Sequence, residues 1–236
     1  MSGSGKRGVP LPERYAEDWR QPFIDLALSA AGQGARVLEV GAGCTPAIPP
    51  AVRPAHWTYV GLDVSQEELD KAPRGSYDAT IARDIASHTS ELDSTFDLIV
   101  SWQALEHVRH VDRAITNLRS YLRPQGRAVI QLSSSFAAFA LLNRALPNRL
   151  GARAVSWAMG RPQGNVFSAH YHRCHYTGLK REFAPWSSVT ITPRFRGAEY
   201  FTFSPLLQSL YIAYEDWAAR KTAPNLATHY LITATK

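Results

Sequence analysis

Residues 37–46 read VLEVGAGCTP, an apolar run that ends directly on Gly41-Ala42-Gly43. A chain passing from an extended apolar segment into paired glycines has few folds open to it, because glycine adopts backbone conformations that a Cβ resists and lets a ligand approach the main chain closely. The same rhythm continues downstream. Apolar segments at Arg36 to Val40, Trp57 to Leu62, Asp78 to Ala82, Phe96 to Val100 and Arg127 to Leu132 alternate with helical or turn segments. This pattern predicts an α/β fold built on a single doubly wound, mostly parallel sheet with right-handed crossovers.

Further strands over Val189 to Arg196 and His229 to Ala234 bring the expected sheet to seven. Tyr15, Trp19, Phe23 and Leu26 recur at helical intervals and predict an N-terminal helix over Pro12 to Ala30. Val111, Ile115, Leu118 and Leu122 predict a second helix, ended by Pro124 and Gly126. Helices are also expected over Thr177 to Phe183 and Pro205 to Arg220. Residues 133–169 break the rhythm and read as an insertion or cap after the fifth strand. The 236 residues therefore divide into a disordered tail over 1–11 and one domain over 12–236, with a cofactor-binding core at 36–133 and an acceptor-side cap and final strands at 134–236.

The glycine loop alone fits several nucleotides. Pro46 stands where the dinucleotide fingerprint G-x-G-x-x-G has its last glycine, which weakens a nicotinamide reading. The second strand ends at Asp63, whose carboxylate can accept two hydrogen bonds from a ribose diol, so a nucleoside ligand is expected. Pro46, Pro49, Pro50 and Pro54 crowd the stretch where a regular helix would follow the loop, and predict an irregular connection instead.

Five segments in order resemble the class I, Rossmann-like S-adenosylmethionine-dependent methyltransferases, of the small-molecule type similar to ubiquinone-biosynthesis-like members. Glu39 with Gly41, Ala42 and Gly43 matches the first motif, and Asp63 with Val64 the ribose-binding strand end. Asp84 and Ile85 stand where family members hold the adenine. The segment FDLIVSWQALEHV at 96–108 matches the fourth motif, which implies that Ser101, Trp102 and Gln103 lie beside the methionine part of the cofactor and that Glu106-His107 is the family's LEH element. LRPQGRAVIQLS matches the turn and fifth strand, with Gln125 replacing one glycine of the usual pair. The resemblance implies S-adenosyl-L-methionine as methyl donor and covers residues 36–133.

Methyl transfer to a hydroxyl benefits from a base that works near neutral pH, and histidine suits that role. The candidates are His107, His170, His172 and His175, the last three within HYHRCHYT, which resembles the element after the fifth strand in ubiquinone-biosynthesis-like enzymes. His170, His172, Cys174 and His175 lie within six residues, matching none of the spaced zinc patterns, so no metal is expected.

The acceptor is read mostly by exclusion. No Asp/Asn-Pro-Pro-Tyr/Phe run follows the fourth strand and no Pro-Cys pair occurs, which disfavours methylation of nucleic-acid bases. Trp157, Phe167, Tyr171, Trp186, Tyr200, Phe201, Phe203, Tyr211, Tyr214 and Trp217 suit a pocket for a ring-bearing or glycosyl acceptor, or an ordinary core. Formal charge is +6, and no acidic residue lies between Asp112 and Glu182, a stretch that includes Arg113, Arg119, Arg123, Arg127 and Arg173. That field would favour an anionic substrate, an acidic membrane surface or RNA, or serve only solubility. O-methylation of a small molecule or sugar-containing metabolite is the expected function. An RNA methyltransferase, a non-catalytic S-adenosylmethionine-binding protein and a nicotinamide oxidoreductase are the alternatives. Two cysteines, no signal peptide and no membrane span point to the cytoplasm.

Overall fold

The protein is described here by a computed structural model covering residues 9–137 and 170–236. Seven strands form one sheet: β1 (Arg36–Val40), β2 (Thr58–Asp63), β3 (Ala79–Ala82), β4 (Phe96–Trp102), β5 (Leu122–Ser133), β6 (Ser188–Arg194) and β7 (His229–Thr235). Their order is β3-β2-β1-β4-β5-β7-β6. Pairings among the first five strands are parallel, while β7 runs antiparallel to both β5 and β6. The mostly parallel sheet expected from the sequence is thus corrected to a mixed one. β-α alternation forces parallel pairing only through β5; the return from β6 to β7 obeys no such rule.

Helices cover both faces, and the inner strands are accordingly apolar on both. α1 (Gln21–Ala30) packs Phe23 and Ala27 against Val37, Leu98, Val100 and Val129. On the opposite face α3 (Val111–Tyr121) and α4 (Tyr176–Glu182) pack Ile115, Leu118, Leu179 and Phe183 against Leu38, Ile99, Ile130 and Ile232. The short α2 (Gln66–Asp70) is capped by the Ser65 hydroxyl, and α5 (Pro205–Arg220) by that of Ser204.

The N-terminal helix is shorter than its periodicity predicted. Residues Glu13–Tyr15 form a 3₁₀ turn, and α1 begins only at Gln21. Asp18 Oδ1 accepts from Arg20 N and Gln21 N, and Pro22 occupies the first turn, so the helix starts there. Tyr15 and Trp19 are freed from that helix face. The Tyr15 hydroxyl donates to Glu215 of α5, while the Trp19 ring lies over the sheet edge against Trp102 and His229.

α3 ends at Tyr121, ahead of the expected stop, and Pro124 to Gly126 lie instead in a bulge within β5: Phe96 pairs with Leu122, but Leu98 pairs with Arg127. Gln125 adopts φ +64° in this bulge. The insertion expected over 133–169 lies outside the described residues from 138 onward, as does the tail expected over 1–11 up to residue 8.

Candidate active site

The sheet order reverses between β1 and β4, and at such a switch point the carboxyl ends of parallel strands open a crevice. A cavity of about 540 Å³ lies there, lined by the ends of β1, β2, β3 and β4 and by His170. Gly41, Gly43, Asp63, Val64, Asp84, Ile85, Gln103, His107 and His170 all reach it.

The glycine loop is fixed from within. Gly41 N and Ala42 N donate to Leu62 O at 2.9 and 3.1 Å, and Gly43 N donates to Asp63 Oδ2 at 3.0 Å. Tyr77 Oη donates to Ala42 O at 2.6 Å. Gly41 sits at φ +75°, and a Cβ there would stand 2.1 Å from that of Ala104, so this position demands glycine twice over. A loop whose three N–H groups are already engaged has none of them left to cradle a pyrophosphate, which disfavours a dinucleotide. Asp63 accepts one bond on each oxygen, from Ser65 N and Gly43 N, and retains lone pairs for a diol. Val64 is 68% exposed at the rim and Ile85 is buried, giving apolar surfaces for a flat base. The chemistry of these donors and acceptors fits S-adenosylmethionine, which has a ribose and an adenine but no phosphate.

Glu39 does something different from what its motif implies. It does not line the cavity; buried, it accepts from Ala47 N at 2.8 Å and Tyr59 Oη at 2.7 Å. It thereby anchors the proline-rich connection, which holds only the 3₁₀ turn Pro50–Val52 before β2, as the prolines predicted. Burial pushes the Glu39 carboxyl up to about 7, against the bonds from Tyr59 and Ala47 and the nearby Arg53 charge. Ala42 also points away from the cavity, into the core.

In the fourth motif, Ser101 is buried with its hydroxyl on Val40 O, tying β4 to β1. Trp102 packs on the α1 side against Phe23 and under the Arg20 guanidinium. Neither lines the cavity, because alternation along β4 turns the strand's side chains into the two cores; Gln103, just past the strand at φ +53°, does line it. Glu106 is buried beneath. Its Oε1 accepts from Ser133 N, and its carbonyl accepts from both His170 N and Tyr171 N at 2.9 Å, mooring the returning segment to the end of β4. Burial raises the Glu106 carboxyl.

Of the four histidines, the structure brings His107 and His170 to the cavity. His172 is exposed outside it, and His175 packs against Phe136 at 5.4 Å. Cys174 is buried, and burial pushes its thiol well up. No group of three or more His, Cys, Asp or Glu among the described residues is arranged to hold a metal. Sequence reasoning missed Glu68, Arg83 and Arg109, which also line the cavity. The Arg83-Asp84 pair was the available signal for one of them. Part of the basic field is neutralised locally: Arg173 pairs with Glu182 at 2.6 Å and Arg123 with Asp97 at 2.8 Å.

A family model described as a methyltransferase domain matches residues 12–184. The chain belongs to this methyltransferase-domain family. The resemblance read from the five segments is thus upheld by a match over most of the chain. A ubiquinone biosynthesis O-methyltransferase of Agrobacterium fabrum is 30% identical over 98 residues, which are 40% of this chain and 39% of that protein. Among solved structures, phosphoethanolamine N-methyltransferase 2 of Haemonchus contortus, in complex with S-adenosyl-L-methionine, is similar at a TM-score of 0.57 and 14% identity, over 92% of this chain and 52% of that one. The [4+2]-cyclase SpnF is similar at 0.55 and 17%, over 92% and 81%. At such identities these structures show the fold alone. The chain spans less than two thirds of the curated relative's length. No helix among the described residues is long and apolar enough to cross a membrane.

Proposed function

We propose that this protein is an S-adenosylmethionine-dependent methyltransferase acting on an oxygen of a small-molecule or sugar-containing acceptor. The observation that carries the donor is the cavity at the β1/β4 switch point: a ribose-competent Asp63 beside a glycine loop with no N–H to spare for phosphate. Family membership and the O-methyltransferase relative support the same reading.

In this reading Asp63 holds the ribose diol, Val64 and Ile85 flank the adenine, and Asp84 faces its amino group. When bound, S-adenosylmethionine supplies an electrophilic methyl group on a sulfonium. In-line displacement then asks the protein mainly for alignment and exclusion of water. His170, set on the cavity by the Glu106 carbonyl, takes the acceptor's hydroxyl proton, with His107 as the second candidate. Glu39, Ser101 and Trp102 act on the frame of the site rather than on its ligands.

The test is calorimetric titration with S-adenosylhomocysteine and, separately, with NADH. Saturable binding of the first and none of the second is expected; the opposite result sinks the donor assignment.

A further inference from the structure

α5 turns the usual arrangement of a surface helix inside out. Its buried side chains include Gln208 and Glu215, and both are satisfied within the protein. Gln208 accepts from Val9 N at 3.0 Å; Glu215 accepts from Gly197 N at 2.6 Å, from Thr228 Oγ1 at 3.0 Å, and from Arg14 and the Tyr15 hydroxyl. The opposite face is apolar and open. Leu206, Leu210, Ala213 and Trp217 recur along it at intervals of four, three and four, all exposed, Leu206 by 70% and Leu210 by 59%. An aromatic row runs alongside: ring centroids are 6.3 Å apart for Phe203 and Phe201, 4.7 Å for Phe201 and Tyr211, 5.5 Å for Tyr211 and Tyr214, and 6.3 Å for Tyr214 and Trp217. Between Leu206 and Trp217 the charged side chains are Glu215, which is buried, and Asp216, which pairs with Arg14.

Leucines held in water cost free energy in proportion to the apolar area they expose. Covering the stripe with Phe203, Leu207 and the tyrosines beside it would remove roughly 600–700 Å² from water on each chain, more than the ~300–600 Å² of the largest apolar patch on a typical monomer. Two such faces together reach the lower end of the roughly 1,200–2,000 Å² that a stable interface buries. A second copy of the chain supplies that area.

We propose that the outer face of α5 is the interface between two copies of this chain, set antiparallel across a twofold axis. The stripe is its own complement. An axis crossing midway between Leu210 and Ala213 puts Leu210 of one copy over Ala213 of the other, a large side chain on a small one, and Leu206 over Trp217. The same register carries Arg220 to the exposed ring of Phe203, where a guanidinium gains a cation–π contact. Apolar positions spaced by four and three suit the shallow crossing of coiled-coil-like helix pairs. The charges around α5 are of both signs: Glu13 and Glu199 are exposed on the segments packed against it, Arg220 and Lys221 at its carboxyl end. An acidic lipid surface would be repelled by the two acids, whereas a second copy presents both signs.

The test is sedimentation equilibrium of the full chain over about 1–100 μM, where a dimer with a dissociation constant on the order of 10 μM is expected for an interface of this size. Leu206→Lys alone and Trp217→Glu alone should each weaken dimerisation about tenfold or more, with the far-UV circular dichroism unchanged because both positions are exposed. The double variant should recover to within about threefold of the wild type, since the antiparallel register sets residue 206 of one copy against 217 of the other. Should either single variant fail to fold, Leu210→Gln is read in its place and must show the same loss. A wild type that stays monomeric at about 100 μM overturns the proposal; binding to phosphatidylglycerol vesicles would then assign the face to lipid. A dimer that survives the single variants overturns it as well, because that dimer is held elsewhere. Failure of the double variant to recover overturns the antiparallel pairing. The outcome is independent of what the cavity binds.

Discussion

The two halves of the sheet's carboxyl edge use their polar groups in opposite ways. At β1 and β2 the loop N–H groups, the Ala42 carbonyl and both Asp63 oxygens are all engaged within the protein. At β4 and β5 the Gln103 and Gln131 amides lie buried with atoms unsatisfied. One half is preorganised for a ligand that asks little of the backbone; the other keeps bonding capacity in reserve. The contrast separates an edge whose polar groups are satisfied within the protein from one whose amides are not.

The largest effect expected from breaking this contrast is on turnover. His170→Gln should lower kcat by about 10²–10⁴ in radiolabelled methyl transfer to the acceptor fraction of a cell extract, with S-adenosylhomocysteine affinity unchanged. A comparable loss of that affinity would move His170 to the donor half. Next, Asp63→Ala removes both the ribose acceptor and the anchor of Gly43, and should weaken S-adenosylhomocysteine by about 100-fold in calorimetry. A change below threefold would mean that Asp63 only shapes the loop.

A third expectation concerns the frame. Burial pushes the Glu39 carboxyl up to about 7 from its ordinary 4.5, so between those values the folded state holds a proton that the unfolded chain releases. The sign follows: stability from this group is full below about pH 4.5 and is lost as pH rises towards 7, amounting to roughly 2 kcal/mol after relaxation of the site. Glu39→Gln, which cannot ionise, should therefore be more stable than the wild type at pH 8 and nearly equal at pH 5, as read by chemical denaturation. Equal stability at both would show that Glu39 is not strained by its burial. The smallest effect lies furthest from the site. Gln125→Gly relieves a left-handed backbone at φ +64° and should add up to about 1 kcal/mol to unfolding free energy without altering ligand binding.

Much of the frame was legible in the residues. The bounds of β1 and α5 coincide with their expected ones, because a strand ending in glycine and a helix opening on Ser-Pro are local signals. The end of the N-terminal helix at Ala30 was legible but its start was not, since the partner that draws Tyr15 away is Glu215, 200 positions distant. Asp63, Asp84 and Ile85 could be placed from strand ends, and they do reach the cavity. Glu39 and Ser101 could not be assigned to frame or ligand, because the direction of a side chain depends on register across β1, β2 and β4. Gln131 gave no signal at all: one glutamine in an apolar strand acquires meaning only when its neighbours are seen to leave it unpaired.

Glu106 ties together two segments that are far apart in sequence. Its side chain holds Ser133, its carbonyl holds His170 and Tyr171, and Ser135 N reaches Cys174 O at 2.6 Å. Residues 133–135 and 170–174 are thus held together at a single staple. Because the cost of closing a loop grows only with the logarithm of its length, this junction depends little on how many residues separate its two arms in sequence.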